Sequence, residues 1–293
     1  MKHSMFANPM RSSRAGYRFL WTIFLPFVAL LCWLGLGQAT EPNQSGQPSR
    51  VGVRKGTLFI AGGGSLPELA HQRFLELAGG SKGKLVVIPT AHSKADTLEQ
   101  LKNYTWWKSQ PLASVVFLHT RNRDKANDPD FVKPLVEATA VWMSGGDQSL
   151  LTAAYRHTAV EREMHKLLNR GGVIGGTSAG AAVMSSVMIT GGNSHAQVGE
   201  GFGLLSGVVV DQHFQNRNRK DRLLDVLEKN PSYVGLGIDE ETAVIVNDCH
   251  LTVMGKQTVH FCAPARQNGA ARVQLLLPGA QADFRKLCES LGQ

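Results

Sequence analysis

The run Val173-Ile174-Gly175-Gly176-Thr177-Ser178-Ala179-Gly180-Ala181-Ala182 admits few folds. A short β-branched stretch enters a turn of small residues and leaves it as a helix, with one serine at the apex. Gly176-x-Ser178-x-Gly180 is the spacing of a nucleophile elbow, in which small residues two before and two after the serine let strand and helix approach while the hydroxyl stands clear. The helix N-terminus beneath it also favours developing negative charge. The competing reading, a Gly-rich turn around a phosphate, lacks the lysine of a P-loop and the spacing GxGxxG.

An elbow needs a sheet to stand on, and the chain supplies one. Apolar runs at Thr57 to Ala61, Lys84 to Pro89, Val115 to Leu118, Ala138 to Met143, Val173 to Gly175 and Val208 to Val210 do not alternate with polar residues, as expected for strands covered on both faces. Between them lie stretches of helical period at Leu66 to Leu77, Asp96 to Lys108 and Val160 to Asn169. This pattern predicts an α/β fold with a mainly parallel sheet and helices on both faces. Past Asp221 it changes to one helix (Asp221 to Lys229) and closely spaced strands at Gly235 to Ile238, Ala243 to Val246, Leu251 to Met254 and Thr258 to Phe261. These read as antiparallel hairpins at one edge of the sheet. Ala280 to Leu291 reads as a closing helix.

If Gly255-Lys256 is a two-residue hairpin loop of type II′, Met254 faces Gln257 and Cys249 faces Cys262. That places the cysteines on a pair whose Cα atoms approach to about 4.5 Å, close enough for a disulfide. The alternative is two small apolar residues on a strand. Cys288 reads as an unpaired buried thiol.

Charge separates the N-terminus from the rest. Lys2, Arg11, Arg14 and Arg18 precede any acidic residue, so four units of the formal +8 belong to a leader and about +4 to the remainder. The remainder does not call for nucleic acid. Phe19 to Gly37 carries no charge and ends in Gly37-Gln38-Ala39. Residues 1–39 therefore read as a signal peptide, with an uncleaved membrane anchor as the alternative. Export to the periplasm or the medium follows. Residues 40–55 read as a linker, and 56–293 as one catalytic α/β domain.

Three further segments sit where the predicted strands end. Ser144-Gly145-Gly146-Asp147-Gln148 follows the strand before the elbow, so its amides are placed to join that of Ala179 around an oxyanion; it is also a tight turn with an Asp cap. Asp211-Gln212-His213-Phe214 precedes Arg217, Arg219 and Arg222. His213 supplies a base near neutrality, and the arginines suit carboxylates. Gly237-Ile238-Asp239-Glu240-Glu241 ends another strand, and any of its three carboxylates could orient the imidazole. The ten histidines show no metal-site spacing, so no metal or cofactor is expected.

Together these segments resemble the serine peptidase family that contains the cyanophycinases and the aspartyl dipeptidases, and within it the cyanophycinases. The Arg-x-Arg-x-x-Arg spacing carries that preference. The resemblance implies a flavodoxin-like sheet related to class I glutamine amidotransferases and a triad of Ser178, His213 and Glu240. It further implies oxyanion donors at Gly146 and Ala179, and a substrate pocket lined by Gln148, Asp211, Gln212, Arg217, Arg219 and Arg222. The implied substrate is cyanophycin, a poly-aspartate with arginine on each β-carboxyl, whose carboxylates the arginines would hold while Asp211 accepts a guanidinium. A homodimer is implied as well. The turn Ala61 to Pro67 departs from the cyanophycinase pattern in lacking an acidic residue. The alternatives are an aspartyl or isoaspartyl dipeptidase of the same family, or a non-catalytic binding domain that keeps the pocket.

Overall fold

The computed structural model describes residues 51–53, 55–97, 104–264 and 270–291. The chain divides into units Met1–Glu41 and Pro42–Gln293. The first, with the predicted leader, lies outside the described residues.

Five strands, β1 (Thr57–Ala61), β2 (Lys84–Ile88), β3 (Ser114–Phe117), β4 (Ala140–Met143) and β5 (Val173–Thr177), run parallel in the order β1-β5-β4-β2-β3. β1, β4 and the first four residues of β5 are buried on both faces, which is why their sequences do not alternate. One face carries helix α1 (Glu68–Leu77) and helix α2 (Tyr104–Lys108), where Phe59, Phe74, Trp107 and Trp142 interlock. The other carries α3 (Pro129–Glu137), α4 (Gln148–Tyr155), α5 (Ala159–Asn169) and the short α6 (Ala179–Ala182). Helix α5 is amphipathic, burying Val160, Met164, Leu167 and Leu168. A two-stranded ribbon, β6 (Val187–Gly191) with β7 (Gln197–Glu200), follows α6.

β8 (Val208–Gln212) starts a second sheet. It pairs in parallel with β9 (Val234–Ile238) across α7 (Lys220–Lys229), and β12 (Val259–Ala263) and β13 (Arg272–Leu276) extend it antiparallel. β10 (Thr242–Asn247), β11 (His250–Gly255) and β14 (Gln281–Asp283) extend the first sheet antiparallel from β1, and α8 (Phe284–Ser290) closes the chain.

The predicted pairing around Gly255-Lys256 does not form. β11 already has β10 on one edge and β14 on the other, and β12, buried along its whole length, lies between β9 and β13 in the second sheet. Cys249, in the turn between β10 and β11, and Cys262, on β12 of the second sheet, are free thiols, not a disulfide. Cys288, half-buried on α8, is also free. The closing helix is shorter than predicted because residues Gln281–Asp283 add a strand and the Asp283 carboxylate then caps α8 by accepting from the amides of Arg285 and Lys286. Of the stretch read as a linker, Gly52 exchanges backbone hydrogen bonds with Ser206 and Val53 is buried, so its described end is docked on the core.

Candidate active site

The carboxyl ends of β1, β4, β5, β8 and β9 meet at one edge, where sites are built in open α/β sheets. Ser178 follows β5 with φ 52° and ψ −112°, a conformation that side chains rarely adopt and that costs on the order of 1–3 kcal/mol. The surroundings pin it. Its amide donates to the Ala61 carbonyl at 3.0 Å, and its own carbonyl accepts from Ala181 and Ala182 at 3.0 Å each. A Cβ on Gly176 would lie 2.3 Å from the Gly180 carbonyl oxygen, and one on Gly180 would lie 2.2 Å from that of Met143. The two glycines of the elbow therefore answer a backbone approach between strand and helix.

His213 lies just beyond β8, also at positive φ (49°), with its amide donating to the Gly62 carbonyl at 2.8 Å. That bond ties the second sheet to the turn after β1. Gly63 lies flat against the imidazole, where a Cβ would meet Cε1 at 2.2 Å. The sequence pointed to this turn only for its missing acidic residue; the signal of its place against the imidazole is the glycine run 62–64 directly after a strand.

Ser178 Oγ is 2.8 Å from His213 Nε2, and His213 Nδ1 is 2.5 Å from Glu240 Oε1. An ionised carboxylate only accepts hydrogen bonds, so Nδ1 carries the proton and Nε2 is left to accept from the serine hydroxyl. Burial lowers the His213 pKa below the ordinary histidine value; the bond to Glu240 opposes this, while the charges of Arg217 and Arg219 add to it. The imidazole is thus neutral, and a base, at pH 7.

The other two carboxylates of the β9 terminus are committed elsewhere. Asp239 is buried and accepts from the Gln215 amide at 2.6 Å and from Thr258 Oγ1 at 2.9 Å, which braces the turn that carries His213. Glu241 pairs with Lys256 at 3.1 Å.

The turn after β4 abuts the serine: a Cβ on Gly145 would lie 3.3 Å from Ser178 Cβ. Gly146 lines the same cavity as Ser178, and Ala179 opens α6, where the first amides of a helix have no intrahelical partner. Asp147 caps α4 by accepting from the Ser149 amide at 2.8 Å. Gln148 is buried, with its amide on the Ile189 carbonyl at 2.7 Å.

The cavity, about 410 Å³, is lined by Ser178, Gln148, Gln212, Arg217, Arg219 and Arg222 among others. Thr190, Gly191 and Gln197 of the β6–β7 ribbon complete its wall. Sequence reasoning missed the ribbon because β7, Gln197-Val198-Gly199-Glu200, is too short and polar to read as a strand, although Gly191-Gly192-Asn193-Ser194 marks the turn. Arg217 is exposed, and Arg219 holds the Gln212 side-chain and main-chain oxygens at 2.8 and 2.7 Å. Burial and the neighbouring Arg222 lower the Arg219 pKa to about 10, still cationic at neutral pH.

Asp211 requires a correction. It was read as an acceptor for a ligand guanidinium, but only 1% of it is exposed and its carboxylate is gripped by Arg222 through Nε at 2.7 Å and a terminal nitrogen at 2.5 Å. Burial pushes its pKa up while Arg222 and Arg219 hold it down. The internal guanidinium occupies the place a ligand would take. Arg222 is spent in turn, since its remaining nitrogen donates to the Gly192 carbonyl at 3.0 Å.

Residues 58–254, from β1 to β11, match the model of peptidase family S51. The chain belongs to peptidase family S51. It is therefore a serine-type peptidase. Among its relatives are the cyanophycinases of Geminocystis herdmanii, 37% identical over 197 residues (64% of this chain, 72% of that protein), and Synechococcus elongatus, 33% identical over 222 residues (72% and 69%). The crystal structure of a peptidase from an acI-B1 Actinobacterium superposes with TM-score 0.63 at 25% identity, covering 78% of this chain and 97% of that one. The S51 match spans all four segments singled out from the sequence, from the turn after β4 to the β9 terminus.

Proposed function

We propose that this S51 peptidase is exported and cleaves the aspartyl backbone of cyanophycin (multi-L-arginyl-poly-L-aspartate) to β-Asp-Arg dipeptides, with Ser178, His213 and Glu240 as its triad. The observation that carries the reading is the unbroken hydrogen-bonded series from Ser178 through His213 to Glu240, set beside an arginine-lined cavity. The cyanophycinases among its relatives support the substrate. The basic leader with its charge-free stretch Phe19 to Gly37 supports export.

In this mechanism Ser178 Oγ attacks the aspartyl main-chain carbonyl while His213 Nε2 takes its proton. Glu240 holds the imidazolium, and the Gly146 and Ala179 amides stabilise the oxyanion. His213 then gives the proton to the leaving amine as the C–N bond breaks, which leaves an acyl-enzyme on Ser178. Water, deprotonated by His213, attacks the ester carbonyl and releases the product carboxylate with the serine restored. Arg217 and Arg219 meet the carboxylates of the substrate.

The test is digestion of insoluble cyanophycin granules by the purified mature protein, with Ser178→Ala as control. Wild type clears the granules and yields dipeptides; the variant does not. Intact granules together with hydrolysis of short Asp-x peptides would replace this substrate with that of a dipeptidase, and equal activity in the variant would remove Ser178 as nucleophile. N-terminal sequencing of the same exported preparation begins near Thr40 if the leader is cleaved.

A further inference from the structure

A substrate carrying arginine on every aspartate brings a guanidinium into a cavity that already holds three. Arg217, Arg219 and Arg222 all line it, and like charges at such range repel unless a carboxylate intervenes. Asp211 is not that carboxylate, since it is buried and bonded to Arg222. Glu240 is committed to His213, and Glu200, at the end of the β6–β7 ribbon, pairs with Arg156 at 2.7 Å. Among the described residues lining the cavity, one carboxylate remains, that of Asp147. It is exposed at the mouth, one residue after Gly146, and its cap to Ser149 uses only Oδ1. A carboxylate has about four lone-pair sites, so capping a helix and accepting from a guanidinium are compatible.

We propose that Asp147 is the residue that selects the guanidinium of the substrate, receiving it at the mouth of the cavity while Arg217 and Arg219 receive carboxylates. This rests on the cyanophycin reading. It assigns the two charges of each arginyl-aspartate unit to different elements of the cavity wall: the negative groups to the turn after β8, the positive one to the turn after β4. A neutral side chain of the same shape would lose a charge-assisted hydrogen bond at Asp147 and bind less well, by about tenfold or more.

The experiment compares kcat/KM on two synthetic aspartate oligomers, one bearing arginine and one bearing citrulline on each β-carboxyl. Citrulline keeps the shape and removes the charge. Wild type is expected to prefer the arginine oligomer by about tenfold or more, and Asp147→Asn to bring the ratio close to one. Asparagine caps helices as well as aspartate does, so α4 keeps its first turn; Asp147→Ser, which also caps, serves as the second variant, and unchanged unfolding midpoints verify both. No arginine preference in the wild type, or a preference that survives in both variants, would overturn the assignment. Failure of the wild type on both oligomers would instead overturn the cyanophycin reading beneath it, which the granule digestion detects independently.

Discussion

As the proposed base, His213 would accept the serine proton only while its ring is neutral, so on that reading its environment sets the acid limb of activity. Its pKa is lowered by burial first, raised by the bond to Glu240 and lowered again by Arg217 and Arg219. The acid limb of kcat/KM should therefore fall below the ordinary histidine value, with activity lost as pH drops through it. Replacing Arg217 by Gln removes a repulsion felt by the imidazolium, so the limb should move to higher pH. Replacing Glu240 by Gln removes the partner that favours the imidazolium, so the limb should move lower while kcat drops by roughly 10²–10⁴. A pH–rate series on the three proteins checks both signs, and an unmoved limb in Arg217→Gln would separate that charge from the base. At this scale Ser178 was legible from the small-residue elbow around it, and His213 from its place at a predicted strand end beside Asp211 and the three arginines. Glu240 was legible only through the family resemblance, because by their own chemistry three adjacent carboxylates read alike until Asp239 is seen on Gln215 and Thr258 and Glu241 on Lys256.

The element that shapes the pocket floor is the crossover from β8 to α7, clamped by Asp211 on the strand and Arg222 on the helix. Both are almost wholly buried. Removing one partner leaves a charge without compensation, whereas removing both with apolar residues of similar size is often tolerated. Arg222→Met should thus cost about 3–5 kcal/mol of stability, and Asp211→Leu combined with it should recover most of that loss, as read from denaturant midpoints. If the double variant is as unstable as the single one, the pair is not the clamp. Strand β8 was readable from its unalternating apolar run, β9 and β12 from their close spacing and α5 and α7 from their period, whereas β13 was not read. Helix α3 was missed because Pro129 and Pro134 mask its pattern, although Pro129 stands in the first turn, where proline is tolerated, and Asp128 caps it.

Across the whole molecule, two sheets are joined at the site by backbone bonds from His213 to Gly62 and from Glu241 to Gly63. The same arrangement keeps Cys249 and Cys262 apart, so a reductant should leave the thermal midpoint unchanged, and burial, which pushes the Cys262 thiol up to about 12, should protect it from alkylation until the chain unfolds. Mass spectrometry after native and denatured alkylation reads both; a native Cys249–Cys262 crosslink would contradict the topology. The sequence by itself determined the elbow, the alternation of the parallel strands with helices and the strand ends that bear serine and histidine, because those follow from local sterics and periodicity. Tertiary structure alone decided which edge each late strand joins and that Asp211 is spent on Arg222. Strand pairing and ion pairing are choices among several chemically equivalent partners, and only packing in three dimensions removes all but one.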